Sequence, residues 1–139
     1  TNCGFKPIYS SKNSDFKIIE ILNKNENKSS FTIEQIITAL SNQDATKKFK
    51  LEIDYKQSFD IILKDSKGDP SKKKLSIKVN LEVRNDKDNV LINRIFNEEF
   101  SYNVQSDKFS MAQYEDNITN NLVNKIANDI IFLLGTLEW

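Results

Sequence analysis

The sequence predicts an α+β domain over residues 14–139, in which two helices cover one face of a small, mostly antiparallel sheet in the order β-α-β-β-β-α. Two central stretches, FKLEIDYKQSFDIIL and KLSIKVNLEV, alternate apolar and polar residues, which is typical of strands with one buried face. Two flanking stretches repeat apolar residues at helical spacing. Packing the apolar faces of these helices and strands together gives a two-layer sandwich.

For the N-terminal part of the chain, the sequence predicts a tether, one strand and one helix. Residues 1–13 contain Gly and Pro and lack periodicity, so we expect a tether there. Residues 15–22, DFKIIEIL, predict a strand. A helix is predicted over residues 33–42, because Thr32 and Gln35 match a capping box and apolar residues at helical spacing follow them.

The central strands carry their apolar side chains at odd-numbered positions. The predicted core set of the first two central strands is Phe49, Leu51, Ile53, Tyr55, Phe59, Ile61, Leu63, Leu75, Ile77, Val79, Leu81 and Val83. The stretch between these strands, residues 64–74 (KDSKGDPSKKK), predicts a long turn. A third central strand is predicted over residues 90–102, with a bulge or irregular edge because Leu91 and Ile95 fall on the other phase.

The longest predicted element is an amphipathic helix over residues 110–134. Its apolar residues recur every four positions, at Ile118, Leu122, Ile126, Ile130 and Leu134. No Gly or Pro interrupts the pattern before Gly135, so the helix is expected to end there.

Composition and motifs argue against catalysis. The chain contains no histidine and no P-loop, GxGxxG or CxxC motif, which removes the commonest general base and the usual nucleophile pairs. Acidic residues such as Glu52 and Asp54 fall on the polar phase of strands, as on a solvated face. Positive and negative residues balance at 20 each, unlike in a nucleic-acid binder. We therefore expect a protein that is not an enzyme, uses no metal or cofactor and does not bind nucleic acid.

A run of lysines interrupts this charge balance locally. Residues 64–74 hold five lysines and two aspartates, a net charge of +3, whereas the last 33 residues have a net charge of −3. The lysines are Lys64, Lys67, Lys72, Lys73 and Lys74. The run has two interpretations, a solvated hairpin tip or a surface that meets an anionic partner.

The stretch CGFKPIYS, which begins at the chain's one cysteine, resembles the lipidated N-terminus of the LptE family, the lipopolysaccharide-assembly lipoproteins of Gram-negative outer membranes. The matching residues are Cys3, Gly4, Phe5, Pro7 and Tyr9. Residues 100–130 are similar to the family's segment joining the last strand to a long C-terminal helix, and the element order also matches. The residue before Cys3 is Asn2, where the family usually has Gly or Ala.

The resemblance implies that Cys3, after signal-peptidase cleavage, carries acyl chains and anchors the protein to the periplasmic side of the outer membrane. Each buried methylene contributes about 0.8 kcal/mol, so several chains anchor stably. It also implies a non-catalytic domain that sits inside an LptD-type β-barrel, helps that barrel assemble and handles lipopolysaccharide. The lysines of residues 64–74 are the candidate lipopolysaccharide contacts. The alternative is a free outer-membrane lipoprotein that binds a peptide or another envelope ligand through its sheet edge.

Overall fold

The computed structural model describes residues 14–138, which form a four-stranded sheet and two helices around one core. The elements are β1 (Phe16–Asn23), α1 (Lys28–Ala39), β2 (Lys47–Lys64), β3 (Pro70–Asn85), β4 (Val90–Asn103) and α2 (Lys108–Thr136). This confirms the predicted α+β class and element order. The predicted tether, residues 1–13, lies outside the described residues.

The sheet has the strand order β1-β2-β3-β4. The last three strands form an antiparallel meander, whereas β1 pairs with β2 in parallel and α1 makes the crossover between them. The ladder between β1 and β2 ends at the pair Asn23 and Ile53, although β2 continues to Lys64. Within residues 14–138, the second half of β2 therefore pairs with a strand on one side only.

The core lies between the sheet and the two helices, which contact each other. The odd-numbered residues of β3 from Leu75 to Val83, and those of β2 from Phe49 to Tyr55, are buried as predicted. The prediction is wrong for Phe59, Ile61 and Leu63, whose exposed fractions are 39%, 49% and 56%. These three residues lie beyond Ile53, where the pairing of β2 with β1 ends.

Helix α1 begins at Lys28, more than one turn before the predicted start. The Asn27 side chain accepts a hydrogen bond from the Ser30 amide, and the Ser30 hydroxyl accepts one from the Asn27 amide, each at 2.9 Å. This reciprocal pair is a capping box built from Asn and Ser. The predicted cap at Thr32 and Gln35 is wrong, since Thr32 lies inside the helix and its hydroxyl donates to the Lys28 carbonyl.

The connection between β2 and β3 is much shorter than predicted. It comprises residues 65–69, because β2 runs to Lys64 and β3 begins at Pro70. Residues 72–74 consequently lie in a strand, with Lys73 opposite Ile61 of β2. The expected irregularity near the start of β4 is present as a register shift between Val83 and Arg84.

Helix α2 confirms the predicted amphipathic element, with Ile118, Ile126, Ile130 and Leu134 buried. It passes through Gly135, where it was predicted to end, and stops at Thr136. No helix within residues 14–138 is long and apolar enough to cross a membrane.

Candidate functional site

The five predicted ligand-binding lysines lie at one end of the β2–β3 hairpin, but in three different settings. Lys64 is the last residue of β2, and Lys67 lies in the turn. Lys72, Lys73 and Lys74 are residues of β3. The structure therefore brings the lysines together at the hairpin end, although most of them stand on strands and not on a loop.

The turn that carries Lys67 is held by its own hydrogen bonds. The Asp65 amide donates to the Asp69 carbonyl at 2.8 Å, and the Asp65 carboxylate accepts from the Lys67 and Asp69 amides at 2.9 Å each. Gly68 has a φ of 87°, which glycine adopts without the steric cost that a side chain would impose. The turn thus presents Lys67 from an ordered backbone.

The lysines differ in how far acidic neighbours neutralise them. Lys73 lies 3.8 Å from Glu115 of α2, and Lys74 lies 3.8 Å from Glu99 of β4. No ion pair forms at Lys64, Lys67 or Lys72 within residues 14–138. These last three lysines, which we call the lysine tip, are the cations most available to an anionic ligand.

Exposed apolar side chains stand beside the lysine tip. Ile61, Ile62 and Leu63 are all exposed, and the ladder with β3 is irregular from Ile61 to Lys64. The sequence pattern assigned Ile61 and Leu63 to the core and therefore missed this surface. The run Ile-Ile-Leu breaks the strict alternation of the strand, and that break is the one signal in the sequence that pointed to it.

A polar network joins the hairpin to α2 below the tip. The Tyr102 hydroxyl donates a hydrogen bond to the Glu115 carboxylate, which also faces Lys73. Burial and the bond to Glu115 hold the pKa of Tyr102 well above its ordinary value. The Tyr102 and Tyr114 rings meet edge to face with their centroids 5.7 Å apart. This network fixes the orientation of the hairpin end relative to α2.

An open pocket of about 670 Å³ lies between the hairpin turn and the start of α2. Its wall includes Asp65 and Asp69 of the turn, and Lys108, Met111 and Glu115 of α2. Lys108 is a further cation at this end that the sequence analysis did not single out. No cluster of acidic or cysteine side chains suited to a metal ion occurs in the part of the chain that the structure describes.

The lysine tip lies at the opposite end of the sheet from Ser14, the first residue that the structure describes. The Ser14 hydroxyl donates to the Leu40 carbonyl, and Phe16 pairs with Lys47, the first residue of β2. Strand β2 then runs for 18 residues to Lys64, which at about 3.3 Å per residue is roughly 55–60 Å. Cys3, the predicted lipidation site, lies outside the described residues.

No protein-family model and no curated protein matches the sequence. Solved structures with the same arrangement do exist. One is the solution structure of an uncharacterized lipoprotein B from Nitrosomonas europaea, with a TM-score of 0.69 at 10% identity over 95% of this chain and 90% of that chain. Another is a minor lipoprotein from Acinetobacter baumannii, with a TM-score of 0.66 at 12% identity over 87% of this chain and 93% of that chain.

A rare lipoprotein B from Shewanella oneidensis is also similar, with a TM-score of 0.64 at 10% identity over 84% of this chain and 92% of that chain. The chain has the fold of these bacterial lipoproteins. At this level of identity the likeness establishes the fold alone.

Proposed function

We propose that this protein is a non-catalytic outer-membrane lipoprotein, anchored through Cys3, that sits inside an LptD-type β-barrel, helps it assemble and contacts lipopolysaccharide. Two lines of reasoning support the proposal. The N-terminal residues resemble the LptE family, and the fold is that of solved bacterial lipoproteins. The observation that carries it is the clustering of three lysines without an ion pair in the described residues, at the end of the sheet opposite Ser14 and beside exposed apolar side chains.

The lysine tip has the chemistry that an amphiphilic anion requires. Lysine ammonium groups bind phosphates as point charges, and the neighbouring Ile61, Ile62 and Leu63 offer apolar surface to acyl chains. Lipopolysaccharide combines phosphates with acyl chains.

A charge-matched pair of variants tests the ligand. Replacing Lys64, Lys67 and Lys72 with glutamine removes three positive charges at the tip. Replacing Lys17, Lys48 and Lys87 removes the same charge, and these three lysines lie on β1, at the start of β2 and in the β3–β4 turn. Lipopolysaccharide binding, measured by surface plasmon resonance, should weaken in the tip variant and become less dependent on salt, while the control keeps its affinity. Equal affinities in the two variants would contradict a role for the tip.

A broader variant tests the whole lysine run. Lys73 and Lys74 already face Glu115 and Glu99, so adding their replacement by serine to the tip variant should weaken binding little further. A large additional loss would mean that these two lysines leave their acidic neighbours to meet the ligand. Circular dichroism should remain unchanged throughout, because these side chains contribute little to the core.

The barrel proposal is tested by co-expression with an LptD-type barrel from the same genome. We expect a stable one-to-one complex on size exclusion, with crosslinks from the lysine tip to the barrel lumen, because barrel interiors are polar and suit a domain with a charged surface. Depletion of this protein should leave the barrel immature. Separate elution without crosslinks would contradict the proposal and favour the free lipoprotein.

The anchor is tested by mass spectrometry of the protein from its native membranes. A diacylglycerol thioether at Cys3 is expected, and Cys3→Ala should release the protein from the membrane without unfolding it. An unmodified thiol would rule out the lipoprotein proposal.

One observation favours the second candidate, a free lipoprotein that binds a peptide: the second half of β2 has an open edge.

A further inference from the structure

The second half of β2 leaves one row of backbone groups without a strand partner. Pairing with β1 stops at Ile53, and the Lys24 amide and the Asn25 side chain then cap the carbonyls of Ile53 and Tyr55, at 2.9 and 3.2 Å. Within residues 14–138, no strand continues this row beyond Tyr55. Such an edge is a template for pairing with another extended chain.

The two capped carbonyls identify which backbone amides and carbonyls point out of this edge. Ile53 and Tyr55 both point their carbonyls towards β1, and backbone direction alternates from one residue to the next along a regular strand. The ladder of β2 with β3 is regular from Phe49 to Ile61. The outward residues above the cap are therefore Gln57, Phe59 and Ile61, each with one amide and one carbonyl. We call this stretch the open edge.

The helix-facing side of the open edge is apolar at Phe59 and Ile61, whereas the Gln57 side chain there accepts a hydrogen bond from the Tyr55 hydroxyl at 2.6 Å. Phe59 stands opposite the buried Leu75, which in turn stands opposite the exposed Phe100 of β4. Ile61 lies on the same side as Phe59, next to Lys73. A strand added here would place every second side chain against Phe59 and Ile61, so those positions favour apolar residues.

The opposite side of the open edge is positively charged. Lys56 of β2 and Lys78 of β3 are direct cross-strand neighbours, an unfavourable arrangement for two like charges unless an anion lies between them. Neither forms an ion pair within the described residues. The nearest acidic residues on this side of β2 are Asp54 and Asp60. Asp54 already accepts a hydrogen bond from the Asn25 side chain at 2.6 Å, and Asp60 accepts one from the Ser58 hydroxyl and faces Lys74 in the ladder. Acidic side chains are therefore favoured at the alternate positions.

We propose that the open edge is a docking site for an extended segment of another protein, whose residues alternate between apolar and acidic. The segment adds a fifth strand to the sheet beside β2, with backbone hydrogen bonds to Gln57, Phe59 and Ile61. Its apolar side chains cover Phe59 and Ile61, and an acidic side chain meets Lys56 and Lys78. The proposal concerns the folded domain alone and does not depend on the barrel or on lipopolysaccharide.

The charge of the sheet favours the open edge over β4. Within the described residues, β1 and β4 also have an unpaired side, and β4 carries Glu98 and Glu99 along the stretch opposite Ile77 and Ser76. These two carboxylates already face Lys74 and Lys125, so this stretch of β4 attracts an acidic segment less than Lys56 and Lys78 do.

The experiment uses the full chain with Cys3→Ser and a fluorescent, end-capped peptide of eight residues that alternates Val and Glu. Fluorescence anisotropy should show salt-dependent binding, while a peptide of alternating Val and Lys binds much more weakly. Lys56→Glu should weaken binding of the Val-Glu peptide by roughly tenfold and strengthen binding of the Val-Lys peptide. No binding of the Val-Glu peptide, or no exchange of preference in the variant, overturns the proposal.

Two further measurements identify the edge. Bound Val-Glu peptide should slow amide hydrogen exchange at Gln57, Phe59 and Ile61, and protection confined to β4 overturns the proposal. Two modified Val-Glu peptides are compared, one methylated on the backbone nitrogens of all Val residues and one on those of all Glu residues. One of the two peptides should lose binding and the other should keep it, and the peptide that loses binding identifies the direction of the added strand. Tolerance of both modifications overturns it.

A matched pair of variants controls for nonspecific binding of the peptide to exposed apolar side chains. Ile61 and Ile95 are exposed to similar extents, 49% and 51%, but Ile95 lies in β4. Ile61→Asn should weaken peptide binding, whereas Ile95→Asn should leave it unchanged. Equal effects of the two substitutions would mean that the peptide binds exposed apolar surface without using the open edge.

Discussion

Two isoleucines of β2 allow a direct test of where the core ends. Ile53 and Ile61 have the same chemistry and lie on the same side of one strand, and the alternation of the sequence predicts both to be buried. In the structure Ile53 is 0% exposed, whereas Ile61, which lies beyond the end of the β1–β2 ladder, is 49% exposed. The perturbation is therefore the same substitution, Ile→Ala, made separately at each site.

The expected losses of unfolding free energy follow from burial. Ile→Ala removes three carbon groups, each contributing about 0.8 kcal/mol when fully buried. At Ile53 that gives about 2.4 kcal/mol, and the cavity left in a closed core raises the total to about 4 kcal/mol. At Ile61 about half of the transfer contribution is lost and solvent fills the space, so the total is about 1 kcal/mol. The corresponding decreases in Tm are about 13 °C and about 3 °C for a chain of this size.

The assay is urea unfolding followed by circular dichroism, with thermal unfolding as a second measurement. Both variants should keep the denaturant dependence of the parent protein, because the surface exposed on unfolding hardly changes. Losses of equal size at the two sites would refute the reasoning. They would mean that the second half of β2 is packed as tightly as the first half.

Three other outcomes are expected. Asn27→Ala should cost about 1 kcal/mol of unfolding free energy in urea titrations, because it removes the acceptor that caps the Ser30 amide at the start of α1; an unchanged midpoint would show that the cap contributes nothing. The pKa of Tyr102 is raised in the folded state, so the contribution of Tyr102 to stability is complete below the unfolded pKa of about 10 and is lost as the pH rises beyond that value. Tyr102→Phe should therefore reduce the decline of the denaturation midpoint at alkaline pH. An identical decline in the parent protein and the variant would contradict the role of the hydrogen bond from Tyr102 to Glu115. A chain starting at Ser14 should unfold at nearly the Tm of the full chain, since periodic burial begins at Phe16; a decrease of tens of degrees would mean that residues 1–13 are packed.

The sequence by itself determined the elements whose pattern repeats over many residues. Alternation in β3 and helical spacing in α2 each extend over several repeats, so a single exception cannot shift the assignment. The order β-α-β-β-β-α followed from these patterns, and the two-layer packing followed because each element has one apolar face. The positive charge of residues 64–74 was also visible in the sequence, because composition does not depend on folding.

The misplaced start of α1 involves a contact with β1. Thr32 and Gln35 match the usual capping-box pattern, but the structure forms its capping box from Asn27 and Ser30. In the structure Ser30 is fully buried, and its hydroxyl also accepts a hydrogen bond from the Asn23 side chain at the end of β1. This contact between α1 and β1 exists only after the crossover has formed, and it is consistent with the earlier cap.

The candidate sites depended on tertiary structure still more. Alternation specifies which side of a strand is apolar, but the helices decide how far along the strand that side is covered. Strand β2 is longer than the surface that α1 and α2 cover, which leaves Phe59 and Ile61 exposed and the neighbouring edge open. Strand pairing likewise moved Lys72, Lys73 and Lys74 from a predicted loop onto β3 and brought two of them to Glu115 and Glu99. The burial of a surface and the formation of an ion pair both depend on residues that are far apart in the chain. A local pattern in the sequence therefore does not encode either of them.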